Sequence, residues 1–260
     1  MRETTPKVEL IARPSIDFEA LERYLKSVGG ESWLQMRKED QEGVNPGQLV
    51  IEAAGRACYR SWEEGLNPNV TRIRRDQEQY FLNLLRSGHG SVLEHANYTF
   101  ILSDISRVFS HELVRHRAGS AFSQESLRFV RLDEIPFRIP EVLEPMRPKI
   151  ISILETLEEF QIAAAEEFGL DEEGVPFHTK KEITSAMRRL APDGVSTVII
   201  WTANVRTLRH TIQMRTDPGA EEEIRTVFNQ IGTIMKDEAP LLFGDFEVED
   251  GHWTTEYPKV

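Results

Sequence analysis

Apolar and polar positions follow two different periods along this chain, and they predict both strands and helices. Residues 97–104 are rich in aromatic and β-branched side chains, which is typical of a strand. Residues 197–202 form a second such run, apolar enough to predict a buried strand. A shorter apolar run covers residues 8–12.

Helical spacing dominates the rest of the chain, where apolar residues recur every three or four positions. The predicted helices cover residues 17–27, 48–62, about 71–85, 105–116, 143–168, 178–190, 204–215 and 219–236. Asn69 or Thr71 is the expected N-cap of the third helix and Asp104 that of the fourth. An isoleucine and leucine stripe on helix 143–168 predicts packing or oligomerisation, and the tail after residue 240 has no clear pattern. Because helices and strands do not alternate regularly, we predict an α+β fold in a single domain, residues 1–260.

The composition of the chain excludes several classes of protein but does not by itself indicate a function. The chain has 260 residues, 40% of them hydrophobic, and no run of about 20 apolar residues that could span a membrane. We therefore expect a cytoplasmic protein with no membrane partner. Its one cysteine, Cys58, excludes an intramolecular disulfide, and its apolar helical surroundings favour a small core residue. A formal charge of −12 argues against a nucleic-acid polymer as partner.

Residues 115–128 are an exception to this acidic balance. The segment contains Arg115, Arg117 and Arg128, separated by serines, small residues and a glutamine. One guanidinium group can bind two phosphate oxygens at once. Serine hydroxyls and the backbone amides of small residues complete such phosphate sites. The segment predicts a site for a small, specific anion, although any one of these arginines could instead form a surface ion pair.

Two further segments concentrate chemically active side chains. Residues 89–95 combine two histidines, a serine and a glutamate, which favours contacts to a ligand and leaves loop histidines and a metal site as alternatives. In residues 204–215, Asn204 and Arg215 are three helical turns apart, about 16 Å, and share a face that suits an elongated ligand. Arg206 and His210 lie on another face.

No protein nucleophile is evident. The chain contains no Gly-x-Ser-x-Gly, no phosphate-binding P-loop and no Gly-x-Gly-x-x-Gly. If the protein is an enzyme, an organic cofactor must therefore supply the difficult chemistry.

Taken together, the motifs resemble the flavin-dependent thymidylate synthases. The resemblance rests on Arg-His-Arg at 115–117 with Ser-Leu-Arg at 126–128, on His-Gly-Ser-Val-Leu-Glu-His at 89–95, and on Asn-Val-Arg at 204–206 followed by Arg215. It covers about residues 48–236 and leaves residues 1–47 and 237–260 peripheral. It implies an α+β domain with a central mixed or antiparallel sheet flanked by long helices.

The same resemblance implies an activity and partners. Members methylate C5 of a uridine monophosphate, with methylenetetrahydrofolate as one-carbon donor, reduced FAD as hydride donor and NADPH as reductant. They are homotetramers whose subunits share active sites. We expect no metal in this protein's site.

The resemblance also implies roles for individual residues. Arg215 is the catalytic residue, a cation placed against the pyrimidine. The substrate-binding residues are Glu112, Arg115, Gln124, Glu125, Ser126, Leu127, Arg128, Arg188 and Arg215. The residues that line the flavin are His89, Ser91, Glu94, Arg115, His116, Arg117, Ser123, Asn204, Arg206 and His210.

This chain departs from the family pattern near the nucleotide. The loop between Ser120 and Ser126 is one residue longer, so Ser123 and Gln124 stand where Asn and Glu or Gln are usual. His210 replaces an Asn, and Gly219 stands where His is frequent. Methylation of UMP in a specialised pathway is therefore an alternative to dUMP, and a non-catalytic flavin- or nucleotide-binding protein is a rival of another class.

Overall fold

The computed structural model describes residues 1–39 and 45–260. Residues 40–44, part of the segment 1–47 expected to be peripheral, lie outside this description. The helices are α1 (Phe18–Val28), α2 (Glu31–Lys38), α3 (Pro46–Tyr59), α4 (Gln77–Arg86), α5 (Arg107–Leu113), α6 (Arg147–Glu167), α7 (Phe177–Met187), α8 (Val205–Arg215), α9 (Glu222–Glu238) and α10 (Pro240–Phe243). The strands are β1 (Arg2–Glu3), β2 (Lys7–Ala12), β3 (Asn97–Ser106), β4 (Ser120–Gln124), β5 (Pro136–Phe137), β6 (Ser196–Asn204), β7 (Glu247–Glu249) and β8 (His252–Thr254).

The central sheet is antiparallel and has the strand order β2-β3-β6-β4. Phe100 of β3 and Phe122 of β4 both stand opposite Trp201 of β6, so the aromatic residues of three strands are in register. Alternate residues of β3 and β6 are buried against α8 and α9, as the two-residue period of a strand requires. The fold is α+β, as predicted.

The prediction that residues 197–202 form a wholly buried strand was wrong, because one face of the sheet is partly exposed. Val198 and Ile200 of β6 are 37% and 41% exposed, whereas Ile199 and Trp201 on the other face are fully buried. An unbroken run of β-branched residues therefore supplies two apolar faces, of which this chain covers one.

Several predicted boundaries were wrong because other side chains cap the helices. The backbone of β3 continues past Asp104, which has a φ of 55°, to Ser106, whose hydroxyl accepts from the Phe109 amide and begins α5. Likewise α4 begins after Asp76, which accepts from the Gln79 amide, and neither Asn69 nor Thr71 caps it.

Three other expectations need correction. Residues 120–124, expected to belong to a loop, form β4, since they pair with β6. Cys58 is exposed rather than buried in the core.

The helix expected over 143–168 begins at Arg147, preceded by a 3-10 helix over Glu141–Met146. Its predicted stripe packs inward at Leu154, while Ile153 is 57% exposed.

The segments outside the family resemblance contribute to the core. Strand β2 forms one edge of the sheet, and the C-terminal residues Phe243, Trp253 and Val260 join the main hydrophobic cluster. Arg209 of α8 fixes this tail, because its buried guanidinium binds both carboxylate oxygens of Asp245 at 2.7 and 2.8 Å. None of the helices in residues 1–39 and 45–260 has the length and apolar character that a membrane crossing requires.

Candidate active site

Two connections between elements form a cleft at one end of the sheet. After α5, the backbone turns at His116 and enters β4 at Ser120, and β6 passes directly into α8 at Asn204. The cleft between them has a volume of about 550 Å³. It is lined by Glu94, Arg115, His116, Arg117, Ala118, Gly119, Asn204, Arg206, Thr207 and His210. Seven of these ten are residues for which the resemblance implied contact with the flavin, drawn from three separate segments.

The floor of the cleft is held by Asn204 and Thr207. The Asn204 side chain caps α8 by accepting from the Thr207 amide at 2.9 Å, and the Thr207 hydroxyl donates to the Ala118 carbonyl at 2.7 Å. Gly119 has a φ of +67°, and a Cβ there would lie 2.3 Å from Asn204 Nδ2. Only glycine therefore allows the turn before β4 and the start of α8 to approach this closely.

The cleft is cationic and partly unpaired. Among the residues that the structure describes, neither Arg115 nor Arg117 forms an ion pair, and both are exposed. Arg206 is paired, with its Nη1 2.7 Å from Glu94 Oε1. Two free guanidinium groups beside backbone amides and a glycine fit the phosphates of a dinucleotide such as FAD.

Arg215 lies at the other end of α8 and is fixed by two partners from α5 and the turn after it. Its Nη1 donates to Glu112 Oε2 at 2.8 Å and its Nε donates to His116 Nε2 at 2.7 Å. The prediction that Asn204 and Arg215 share one ligand-binding face was wrong for the cleft, because Asn204 lines the cleft and Arg215 does not. Instead Asn204 groups with Arg206 and His210, because it caps the helix that carries them.

His116 is neutral in this arrangement. Burial lowers its pKa to about 4, and the charges of Arg215 and His210 act in the same direction. Because Nε2 accepts from Arg215, the neutral ring carries its proton on Nδ1. His116 thus serves as a hydrogen-bond acceptor for the guanidinium between the cleft and Arg215.

His89 and Ser91 lie on a neighbouring cavity of about 360 Å³ rather than in the cleft. Ser91 belongs to a 3-10 helix, Gly90–His95, which His89 precedes, and Glu94 of this helix reaches the cleft on the opposite side. Across residues 1–39 and 45–260, no three His, Cys, Asp or Glu side chains converge to hold a metal ion, so the geometry gives the metal alternative no support.

The remaining expected substrate residues, and Ser123, which was expected to line the flavin, are not brought to the cleft within one chain. Ser123 is exposed on β4, and Gln124 Nε2 donates to Ser110 Oγ of α5 at 3.3 Å. Glu125 pairs by its amide with the Val198 carbonyl, and Leu127 is buried in a separate hydrophobic cluster.

Of the three residues expected to hold the nucleotide phosphate, Ser126 and Arg128 lie together, with Arg128 Nε 3.3 Å from Ser126 Oγ, and Arg188 lies apart from them. Arg128 lies over the ring of Phe129, which stacks on Phe177 at the start of α7, whereas Arg188 follows the end of that helix. Eleven helical residues separate the two ends, about 16 Å.

Sequence reasoning missed Ala118, Gly119 and Thr207 as cleft residues. Gly119 offered a signal, since a glycine directly after a cationic segment marks a position where backbone approaches a ligand or another segment. Thr207 offered none, because its role depends on where β4 lies.

A sheet end that presents unpaired arginines and a glycine turn is the site of a protein that binds an anionic ligand. Comparison with known proteins makes this specific. Residues 43–241 match the family profile of the thymidylate synthase complementing proteins, Thy1. The flavin-dependent thymidylate synthase of Mycobacteroides abscessus is 36% identical over 208 residues, 78% of this chain and 80% of that protein. The protein of the same name from Corynebacterium glutamicum is 34% identical over 229 residues, 85% and 88% of the two chains.

The chain therefore belongs to the flavin-dependent thymidylate synthase family and is a methyltransferase of that family. The resemblance inferred from the motifs is confirmed, and the rival interpretation as a non-catalytic binding protein is not retained.

Proposed function

We propose that this protein methylates C5 of dUMP, taking the one-carbon unit from methylenetetrahydrofolate. The observation that carries the proposal is Arg215, a partly buried cation fixed by Glu112 and by a neutral His116. A guanidinium held at the pyrimidine favours ionisation at N3, and the electron density that this releases makes C5 a better nucleophile. This accounts for a site without a protein nucleophile.

The cleft supports the cofactor assignment. Arg115 and Arg117 have no ion-pair partner among the described residues, and their free guanidinium groups would hold the phosphates of FAD. When bound, reduced FAD supplies the hydride that turns the transferred methylene group into a methyl group, and NADPH restores the reduced flavin. The neutral ring of His116 and the side chain of His210 lie in the same wall, 6.2 Å apart between ring centres, where they would contact the flavin.

A homotetramer with shared sites completes the proposal. Ser126 and Arg128, expected to hold the nucleotide phosphate, contact each other, but Arg188, the third residue of that set, does not meet them within one chain. We expect a second subunit to bring one part of this set against the other. The exposed apolar face of β6 supports the association.

The test is a product assay with dUMP, methylenetetrahydrofolate and NADPH, read by mass as the gain of one CH2. Arg215→Ala should abolish product formation while the purified protein stays yellow, since the residue does not line the cleft. The matched control is Arg189→Ala, an exposed arginine to which no role is assigned. Methylation by Arg215→Ala at the rate of the control would contradict the assigned role.

Methylation of UMP is the second candidate. It is favoured by the longer segment between Ser120 and Ser126, where Ser123 is exposed and Gln124 turns to Ser110. The same assay with dUMP and UMP in competition decides between them. Product from dUMP alone, at millimolar UMP, would exclude the ribonucleotide.

A further inference from the structure

Two cations lie against one exposed aromatic ring near the start of α7. The guanidinium carbon of Arg128 is 5.5 Å from the centre of the Phe129 ring, and Lys181 Nζ is 5.4 Å from the same point. The Phe129 ring stacks on Phe177, with 6.0 Å between the ring centres and 9° between the planes. Phe129 is 52% exposed and Phe177 is 70% exposed, so this group of side chains lies at the protein surface.

The helical period of α7 places Lys181 in this position. Phe177 and Lys181 are four residues apart, and side chains at that spacing are neighbours on one face of a helix. Since Phe177 packs on Phe129, the same face of α7 brings Lys181 to the segment that carries Arg128. The stacking of two aromatic rings therefore fixes where this lysine lies.

Neither cation is neutralised within the described part of the chain. The Arg128 side chain donates only to the Ser126 hydroxyl, at 3.3 Å, and Lys181 forms no hydrogen bond or ion pair with a described residue. The nearby Arg131, by contrast, is paired with Asp171 at 3.0 Å. The charges of Arg128 and Lys181 are therefore available to an anion, although the chain as a whole has a formal charge of −12.

A phosphate monoester matches the groups that this surface offers. It carries about 1.5 to 2 negative charges at neutral pH and three acceptor oxygens. The Arg128 guanidinium can bind two of those oxygens at once, and the Ser126 hydroxyl lies beside it. The ammonium group of Lys181 is a compact charge with three donors on a flexible stem, which suits a remaining oxygen. Two cations of one chain would then balance the charge of the phosphate.

We propose that Lys181 is a further substrate-binding residue, which holds the 5′-phosphate of the nucleotide together with Arg128 and Ser126 of the same chain. The inference rests on the proposed function, because dUMP is the substrate that brings a phosphate to Arg128. Arg188 follows the other end of α7, so Lys181 is the cation of this helix that shares a ring with Arg128. Lys181 thereby favours the nucleotide over the nucleoside.

The test is calorimetric titration of the flavin-loaded protein with dUMP, without folate or NADPH. Lys181→Met keeps an unbranched side chain on the Phe129 ring but removes the charge, and should weaken dUMP binding about tenfold, the loss of one charge-assisted hydrogen bond. Lys181→Arg keeps the charge and should bind dUMP nearly as tightly as wild type. The matched control is Lys180→Met, which removes the neighbouring charge of the same helix and should leave the affinity unchanged. Lys181→Gln gives the same comparison if Lys181→Met does not fold.

Deoxyuridine, which lacks the phosphate, shows whether the lost contact is to that group. Its affinity, measured by displacement of dUMP, should be the same in wild type and in Lys181→Met. An equal loss of affinity for dUMP and deoxyuridine would overturn the proposal, because Lys181 would then act through its packing on Phe129. A dUMP affinity of Lys181→Met equal to that of Lys180→Met would overturn it as well.

Binding is measured without turnover, so the two proposals can fail separately. A protein that makes no methylated nucleotide from dUMP, yet loses affinity for dUMP in Lys181→Met, would refute the proposed function alone. A protein that methylates dUMP and binds it equally well in Lys181→Met and in the control would refute the role of Lys181 alone.

Discussion

At the scale of single residues, the contact that matters most joins His116 to Arg215. A histidine beside an arginine loses its proton, because burial and the neighbouring positive charge both disfavour the imidazolium ion. The hydrogen bond at 2.7 Å needs a lone pair on Nε2, so it exists only while the ring is neutral. Protonation of His116 would release Arg215 from one of its two side-chain partners.

This geometry predicts how stability depends on pH. The pKa of His116 falls from its ordinary 6.5 in the unfolded chain to about 4 in the folded protein. As the pH drops below 6.5 the unfolded state binds the proton first, so the free energy of unfolding decreases towards pH 4. His116→Gln keeps an acceptor but cannot titrate, and should therefore reduce the loss of stability between pH 7 and pH 5.

Urea midpoints at several pH values measure the effect. His178→Gln, a substitution of an exposed histidine on α7, is the control and should follow wild type. Equal slopes for His116→Gln and wild type would show that His116 is not held neutral in the folded protein.

At the scale of elements, the cleft depends on how closely the turn before β4 approaches the start of α8. A Cβ at Gly119 would lie 2.3 Å from the Asn204 side chain, and that side chain cannot move without leaving the first turn of α8 uncapped. Gly119→Ala should therefore cost about 1–2 kcal/mol in the left-handed backbone conformation and lower flavin retention as well.

Gly174→Ala separates these two effects. Gly174 has a φ of +86° and nothing within 4 Å of a built Cβ, so its substitution carries the backbone cost alone. Flavin per subunit, read from the visible spectrum, should fall in Gly119→Ala and stay unchanged in Gly174→Ala. Full flavin content in both variants would mean that the close approach does not shape the cofactor site.

At the scale of the whole molecule, the exposed apolar face of the central strand β6 indicates that another protein surface packs against it. Ile200 is 41% exposed although β6 has a neighbouring strand on each side. We expect another copy of the chain to cover this face. Ile200→Glu should then dissociate the proposed tetramer and abolish methylation, since the proposed sites are shared.

Light scattering after size-exclusion chromatography gives the mass directly. Val248→Glu on β7, where the side chain is 47% exposed, is the matched control and should keep the wild-type mass. An Ile200→Glu protein that keeps the wild-type mass would place the subunit contact elsewhere.

The local patterns of the chain determined its elements and its chemistry. Strand β3 and helices α1 and α8 lie close to their predicted positions, because the hydrophobic period and a nearby cap act over a few residues. The cationic segment and its partners were recognisable as well, since arginine, serine and glycine at fixed spacing carry their chemistry with them.

Only the tertiary structure decided which of these residues meet. The Arg-His-Arg turn joins the start of α8 because β4 pairs with β6, a contact between residues about 80 positions apart. The same packing separates Arg188 from Arg128 and places Arg72 beside His89. Such long-range contacts depend on the packing of whole elements, and a periodic pattern records only which face of each element is buried.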